Sequence, residues 1–153
     1  MRFKIKKFKE LSVTELYALM QLRQEIFVVE QNCPYVDADG KDLQSVHVMG
    51  YENKKLVAYA RIVPPGVSYK SPSIGRVVVD QKVRGKKYGY ILMEKCIKDV
   101  LKRYKTDTIT ISAQEYLKKF YTNTGFNAVG DVYPEDNIPH IKMVYKAGLK
   151  PAK

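Results

Sequence analysis

The first half of the chain alternates between strand-like and helix-like spacing of apolar residues. The segment FKIKKF (3–8) alternates apolar and basic residues, which predicts a strand. Ser12 and Glu15 match a capping box, and the helical spacing of apolar residues after them predicts a helix that ends near Glu30. The next three segments predict an antiparallel hairpin followed by a third strand, and they are SVHVMGY (45–51), LVAYARIV (56–63) and IGRVVV (74–79).

The second half continues with helices and strands in alternation. Apolar residues at helical spacing predict a helix from Tyr88 to Tyr104, and DTITIS (107–112) is typical of a strand. Ser112 and Glu115 match a second capping box, which predicts a helix that Gly125 ends. FNAVGDV (126–132) and HIKMVYK (140–146) predict the last two strands. The order predicts an α/β domain whose central sheet is mixed, mostly antiparallel and flanked by helices.

Length and composition narrow the class of protein. A chain of 153 residues predicts one domain, 1–153, and no internal repeat or linker divides it. No apolar run approaches the length of a membrane helix, and the basic, alternating N-terminus is unlike a signal peptide. Cys33 and Cys96 lie far apart, so neither a disulfide scaffold nor a metal site is expected. These features favour a reducing cytoplasm and no association with a membrane.

The net charge of +11 is concentrated in one segment. Residues 82–105 contain nine Lys or Arg and only two acidic residues. A basic concentration beside a glycine-containing turn indicates a polyanionic ligand, either a phosphorylated cofactor or nucleic acid. For the four later basic residues of the helix, a solvated helix face is the preferred interpretation, and they are Lys95, Lys98, Lys102 and Arg103.

The stretch VRGKKYGYIL (83–92) predicts an anion-binding turn between a strand and a helix. The first N–H groups of a helix have no internal partner, and the helix dipole favours negative charge there. Gly85 and Gly89 permit close approach of a ligand or a positive φ, while Arg84, Lys86 and Lys87 add positive charge. The spacing fits neither a Walker A loop nor a dinucleotide-binding fingerprint.

Residues Arg84 to Gly89 resemble the [RQ]-x-x-G-x-[GA] motif of the GNAT superfamily of N-acetyltransferases. Lys87 departs from it, because it stands where the middle glycine is usual, and as a helical residue it would still offer its N–H. FYTNTGF (120–126) resembles the second conserved segment of the superfamily, and Gln114 precedes Tyr121 by seven residues. Five further stretches look like the ElaA-like branch, and they are RQEIFVVEQNCPYVDADGKD, YARIVPPG, IGRVVV, AQEYLKKFYTNTGF and EDNIPHIKM.

The resemblance implies an acetyl-CoA-dependent N-acetyltransferase that moves an acetyl group to a primary amine by direct attack in a ternary complex. It implies that the turn holds the pyrophosphate and that the preceding strand pairs with the pantetheine arm. Tyr121 would protonate the leaving thiolate, since a phenol with a pKa near 10 is neutral at pH 7. The cofactor-binding residues implied are Val77, Val78, Val79, Arg84, Gly85, Lys86, Lys87, Tyr88, Gly89, Tyr90, Gln114 and Tyr121.

The acceptor side of the reaction requires a proton acceptor, because a lysine-like amine is mostly protonated at pH 7. Glu30, His47 and His140 are the candidate bases. The resemblance also places Arg23, Tyr35, Arg61, Arg76 and His140 at the acceptor pocket. The loop DADGKD (37–42) lacks the ligand spacing of an EF-hand, so we expect a turn-rich loop whose acids face a cationic amine.

Two other functions are compatible with the sequence. The high isoelectric point and the tyrosines among lysines suit a basic nucleic-acid-binding domain, although RNP1 and zinc-finger patterns are missing from the sequence. Lys87 in place of glycine would suit a catalytically inactive CoA-binding module. The acceptor could be a small-molecule amine, a peptide N-terminus or a lysine, and the resemblance allows a homodimer.

Overall fold

The computed structural model describes residues 1–149, so the last four residues of the predicted domain, 150–153, lie outside it. Within that range the chain forms eight strands and three α-helices. In chain order these are β1 (Arg2–Lys7), α1 (Val13–Gln24), β2 (Val46–Glu52), β3 (Lys55–Val63), β4 (Ser73–Val79), α2 (Tyr88–Tyr104), β5 (Thr108–Gln114), α3 (Lys118–Asn123), β6 (Phe126–Ala128), β7 (Tyr133–Glu135) and β8 (Ile138–Lys146).

The strands form two sheets rather than one. The first has the order β1-β2-β3-β4, and in the second β8 pairs with β5, β6 and β7. All of these pairs are antiparallel. The sheets meet near Thr110, whose N–H donates to the Pro72 carbonyl at 3.1 Å and whose Oγ1 lies 2.7 Å from Ser71 Oγ. The α/β prediction with mostly antiparallel strands flanked by helices is confirmed, whereas the predicted single mixed sheet is two sheets whose described strand pairs are all antiparallel.

Helices α1 and α2 each cover one part of the sheet surface. The apolar face of α2 is buried against strands of both sheets, and α1 packs on a second cluster that contains Met49 and Tyr59. Each buried apolar side chain contributes about 1.5–3 kcal/mol, so these two faces hold the layers together. Cys96 of α2 is fully buried, as its position on the helix predicted, and burial raises the pKa of its thiol.

The first helix begins as predicted and ends in an unusual way. Ser12 Oγ accepts from the N–H of Glu15 at 3.1 Å, and the Glu15 carboxylate accepts from the N–H of Ser12 at 2.9 Å, which confirms the capping box. The helix reaches Glu30, but its last turn, Glu25–Glu30, is a π-helix. Within this turn, Phe27 lines a cleft and Glu30 contacts Arg84 of the turn after β4, which fits the frequent occurrence of π-helical turns at functional sites.

The second predicted capping box is wrong. Ser112 belongs to β5, and its hydroxyl bonds Tyr133 and Glu135 of β7 instead of a helix N-terminus. A 3₁₀ turn at Glu115–Leu117 precedes α3, which Gly125 ends with a φ of +101°. The predicted strand 126–132 is only Phe126–Ala128, and β7 was not predicted. No helix among residues 1–149 has the length and apolar character to cross a membrane.

Candidate active site

A cleft of about 610 Å³ opens where β4 and β5 separate. Residues 73–77 of β4 form one wall, and Ser112 and Gln114 of β5 line the other. The end of α1, the loop after it and the β7–β8 turn also line the cleft. The loop after α1 and the β7–β8 turn meet across the cleft, since Cys33 Sγ donates to the Asp136 carbonyl at 3.4 Å. The cleft therefore occupies the space between the two sheets and is lined by residues of both.

The turn after β4 presents unpaired backbone N–H groups. Among the described residues no acceptor receives a hydrogen bond from the N–H of Gly85, Lys87, Tyr88 or Gly89. Gly85 has a φ of +88°, as its predicted freedom allowed, whereas a Cβ on Gly89 would come within 3.3 Å of the Phe120 ring. One glycine thus serves the turn conformation and the other serves close packing against α3.

Lys87 differs from the expectation of a helical residue. It is the N-cap of α2 and has the left-handed conformation, with φ 60° and ψ 18°. This conformation costs an L-residue about 1–2 kcal/mol and costs glycine almost nothing, which explains why glycine would be favoured at this position. The lysine keeps the left-handed turn, so the unpaired N–H groups around it still point outward from the start of the helix.

Acidic side chains neutralise part of the basic turn. Arg84 donates to both oxygens of Glu30 at 2.7 and 2.8 Å, and Lys86 contacts both oxygens of Glu52 at 3.0 and 3.1 Å. The Arg84 hydrogen bond lowers the pKa of Glu30. Glu30 therefore faces the predicted phosphate-binding turn rather than the cleft, so the structure does not support its predicted role as the acceptor's base.

Strand β4 contains a bulge at the middle of the cleft. Tyr59 pairs with Val78 and Arg61 pairs with Gly75, so Ala60 of β3 faces both Arg76 and Val77. Arg76 has a φ of 52°, and the strand bends where Val77 lines the cleft. Val78 instead packs in the core with α1, and Val79 is half-buried. Of the three predicted valines, only Val77 lines the cleft with its side chain.

Tyr121 lies at the inner end of the cleft. It is 7% exposed and lines the cavity, and its ring contacts Phe120 and Phe126 at centroid distances of 5.0 and 6.2 Å. Its hydroxyl has no hydrogen-bond partner within residues 1–149, and burial raises its pKa above the ordinary value. Gln114 lines the same cleft and exchanges hydrogen bonds with Gln31.

The arginines predicted at the acceptor pocket belong to a buried network of ion pairs. Arg23 is fully buried and donates to the carboxylates of Asp37 and Asp42, both at 2.7 Å. Arg61 and Arg76 complete the network. Its other distances are Arg61–Asp39 at 2.6 Å, Arg61–Asp42 at 3.0 Å, Arg76–Asp37 at 2.7 Å and Arg76–Asp39 at 3.4 Å.

This network corrects two expectations about the loop at 37–42. Its three aspartates bind arginines of the same chain, which neutralise their charge, and only Asp39 of the three lines the cleft. Arg23 does not line the cleft, although Arg61 and Arg76 do. Tyr35 lines it too, and its hydroxyl donates to Asp37 at 2.8 Å. The network therefore fastens the loop to β3 and β4 and shapes one wall of the cleft.

The two histidines occupy different environments. His47 is fully buried, with Nδ1 2.8 Å from the Tyr59 hydroxyl and Nε2 3.0 Å from the Asp42 carbonyl. Burial lowers its pKa, and it does not line the cleft, so the expectation of a catalytic role for His47 is corrected to a structural one. His140 does line the cleft, with Nδ1 2.8 Å from the Ile138 carbonyl and its ring stacked on Tyr133.

The sequence reasoning missed a group of polar residues at the outer end of the cleft. Ser112, Tyr133 and Glu135 are joined by hydrogen bonds, and Tyr69 lies beside them. The sequence conceals this group, because Ser112 and Glu115 match a helix-capping pattern and β7 is a strand of only three residues. Asp136 and Asn137, which both have positive φ, form the turn of the β7–β8 hairpin, and this pair was the available signal. No group suited to bind a metal ion occurs among the described residues.

Comparison with known proteins gives a consistent result. A family model described as "Acetyltransferase (GNAT) domain" matches residues 20–147. Protein ElaA of Escherichia coli K12 is 47% identical over 136 residues, which are 88% of this chain and 89% of ElaA. The crystal structure of Escherichia coli ElaA superposes with a TM-score of 0.88 and 43% identity, over 95% of this chain and 99% of that one.

Two further solved structures share the fold. An acyl-CoA N-acyltransferase from Pseudomonas aeruginosa has a TM-score of 0.88 and 40% identity, over 95% of this chain and 99% of that one. An aminoglycoside 6'-N-acetyltransferase complexed with coenzyme A has a TM-score of 0.73 and 19% identity, over 97% of this chain and 99% of that one, and shows the fold alone. The predicted family is confirmed: this chain belongs to the GNAT family of acetyltransferases, in its ElaA-like branch, and is an acyltransferase.

Proposed function

We propose that the protein transfers the acetyl group of acetyl-CoA to a primary amine by direct attack within a ternary complex. The observation that supports this most directly is the cleft between β4 and β5, which the largely buried Tyr121 lines, together with the turn after β4, where several N–H groups have no acceptor among residues 1–149. An extended cofactor would have its thioester near Tyr121 and its charged pyrophosphate at the turn after β4. A related fold has been solved as a complex with coenzyme A.

The turn from Arg84 to Tyr90 would hold the pyrophosphate. Its unpaired N–H groups and the N-terminus of a 17-residue helix attract an anion. The backbone of Val77, Val78 and Val79 would pair with the amides of the pantetheine arm, because no strand of the described chain occupies the cleft side of β4. Gln114, on the opposite wall, would supply an amide to the same ligand.

Tyr121 would protonate the thiolate that leaves when the C–S bond breaks. Burial raises the pKa of Tyr121, so the phenol stays protonated at neutral and mildly alkaline pH. Removing a general acid lowers turnover by about 10²–10⁴-fold. Tyr121→Phe should therefore reduce kcat by this amount while the Kd for CoA stays nearly unchanged. The control is Tyr17→Phe, because Tyr17 is 73% exposed and does not line the cleft.

Cofactor binding is tested by a thermal melt with and without acetyl-CoA at two salt concentrations. At one hundred times its Kd a ligand stabilises the folded state by about 2.7 kcal/mol, which raises the Tm by several degrees. No shift at millimolar acetyl-CoA would refute both the proposal and the inactive CoA-binding module, and it would leave the nucleic-acid alternative. A nucleic-acid ligand would instead stabilise the protein without CoA, and its effect would fall steeply with salt.

The expectation of a reducing compartment rests on the two free cysteines. Cys33 lines the cleft and is partly exposed, so an oxidising environment would modify the site itself. We therefore include the cytoplasm in the proposal, and the alkylation state of Cys33 in protein isolated under rapid acid quench would test it.

A further inference from the structure

The outer end of the cleft contains a carboxylate held by a chain of hydroxyl groups. Ser112 Oγ donates to Glu135 Oε2 at 2.6 Å and lies 2.6 Å from the Tyr133 hydroxyl. A hydroxyl has a single proton, and Ser112 uses its proton in the hydrogen bond to the Glu135 carboxylate. In the other hydrogen bond, Tyr133 must therefore donate to Ser112. The chain runs from Tyr133 through Ser112 to Glu135 and fixes one carboxylate oxygen, while Oε1 has no partner among the described residues.

Glu135 also lacks a cationic partner. The chain has 27 basic and 16 acidic residues. Three acids line the cleft, namely Asp39, Glu135 and Asp136, and Asp39 is paired with Arg61 and Arg76. No ion pair within residues 1–149 involves Glu135, although its side chain lines the cleft. Glu135 is exposed, and the adjacent Asp136 also has no ion pair among residues 1–149, so two carboxylates without cationic partners lie at this end of the cleft and would attract a cationic group of the ligand.

The surroundings of Glu135 include other titratable and charged groups. Tyr69 lines the cleft beside it, and burial, with contributions from Tyr133 and Glu135, raises the pKa of Tyr69 to about 12. Lys142 Nζ lies 6.0 Å from the centre of the Tyr69 ring. His140 stacks on Tyr133, and Asp136 follows Glu135 in the turn.

The position of this group along β5 separates it from the inner end of the cleft. Ser112 and Gln114 are two residues apart, so they share one face of the strand and are about 6–7 Å apart along it. Tyr121 lines the same cleft and is more than nine-tenths buried, with its hydroxyl unpaired within residues 1–149. A reacting carbonyl near Tyr121 and Gln114 would leave the space beside Ser112 and Glu135 for the acceptor.

We propose that Glu135 is the residue that binds the acceptor's ammonium group and removes its proton, and that the acceptor is a primary amine without a carboxylate close to the nitrogen. The inference rests on the proposed function. Oε1 of Glu135 takes one proton from R–NH₃⁺, and the nitrogen lone pair then forms the C–N bond as the C–S bond breaks. Tyr121 gives its proton to sulfur and regains one from the same nitrogen, and Glu135 releases its proton to water.

The test uses the whole protein with propylamine and β-alanine, which differ by a carboxylate. Binding of each to the complex with CoA is followed by ligand-observed NMR, and acetylation by thiol release. Propylamine should bind and be acetylated, and β-alanine should do neither. Glu135→Gln should abolish propylamine binding and lower kcat/KM at pH 7 by about 10²–10⁴-fold, the usual contribution of a general base. Asp131→Asn is the control, since Asp131 is exposed and does not line the cleft.

A change of pH separates proton removal from a structural effect. Near pH 10 much of a lysine-like amine is already neutral, so the deficit of Glu135→Gln should shrink several-fold there. Three outcomes would each overturn the assignment. The first is a deficit in kcat/KM of Glu135→Gln that is the same at pH 7 and pH 10, and the second is an activity of Glu135→Gln equal to that of Asp131→Asn. The third is failure of the wild type to bind propylamine. The Tm shift with acetyl-CoA is measured on every variant, so loss of the proposed function itself would appear as loss of that shift in the wild type.

Discussion

Replacing Glu30 by glutamine would release the Arg84 guanidinium at the turn where we propose that the pyrophosphate binds. In the structure both oxygens of Glu30 accept from Arg84, at 2.7 and 2.8 Å. An arriving pyrophosphate must therefore compete with an internal carboxylate for the same guanidinium. Glutamine keeps the size of the side chain and removes the charge, so the competition weakens while the packing stays the same.

The size of this effect follows from the exposure of the pair. The Arg84 side chain is 46% exposed and that of Glu30 is 26% exposed, so solvent screens the interaction. Ion pairs of this kind contribute about 0.2–1 kcal/mol. Since 1.4 kcal/mol corresponds to a factor of ten, the Kd for CoA should fall by up to about five-fold in Glu30→Gln. The difference should decrease as the salt concentration rises, because screening weakens the pair first.

Isothermal titration with CoA measures the Kd, and Glu94→Gln is the matched control. Glu94 pairs with Lys98 on the exposed side of α2, so its substitution changes the net charge equally without touching the turn. Weaker CoA binding by Glu30→Gln would refute the reasoning and show that Glu30 holds Arg84 in its binding position. A loss of kcat of one hundred-fold or more at unchanged Kd would restore Glu30 as the catalytic base.

Three other substitutions test the fold around the site. Lys87→Gly should raise the free energy of unfolding by about 1 kcal/mol, because glycine accepts the left-handed conformation of this position. Lys87→Ala removes the same charge without this gain and is the control. Urea denaturation measures the free energy of unfolding of both variants. Asp37→Asn should cost about 3–5 kcal/mol, because it leaves Arg23 charged and underpaired in the core, and Asp39→Asn, at a more exposed position, should cost clearly less in the same assay. Burial alone would raise the pKa of Glu15, but hydrogen bonds from two lysines and a backbone N–H lower it from 4.5 to about 2. The ionised carboxylate therefore stabilises the folded protein above pH 4.5, and this stabilisation should be lost as the pH falls towards 2. In acid denaturation, the free energy of unfolding of Glu15→Gln should lack this pH-dependent decrease.

The sequence was most informative where the pattern of residues is local. The capping box at Ser12 and the apolar face of the helix from Tyr88 to Tyr104 depend on neighbours within a few positions, and the structure confirms both. The left-handed conformation of Lys87 could not be predicted, because lysine itself gives no signal for it. The motif indicated a glycine at this position, and the positive φ is the physical reason for that preference.

Long-range pairing explains the errors. His47 alternates with valines, so it projects from one face of its strand, but the alternation does not show what that face contacts; in the structure it packs on Tyr59 and the loop at Asp42. Arg23 interrupts an apolar helix face because aspartates 14 and 19 residues later neutralise it. Nothing within a short window of the sequence records which acid meets which arginine. The group around Glu135 depends in the same way on the pairing of β7 with β8.

The division between β4 and β5 also has a consequence for backbone dynamics. Because the ladders end at these two strands, each presents its inner N–H and C=O groups to the cleft beyond the contact at Thr110. These amides should exchange with deuterium faster than those of β2 and β3, and an extended ligand that accepts hydrogen bonds from β4 should slow them. An empty cleft is thus also a pair of open strand edges, and the ligand would act as the missing strand that protects the protein from pairing with another chain.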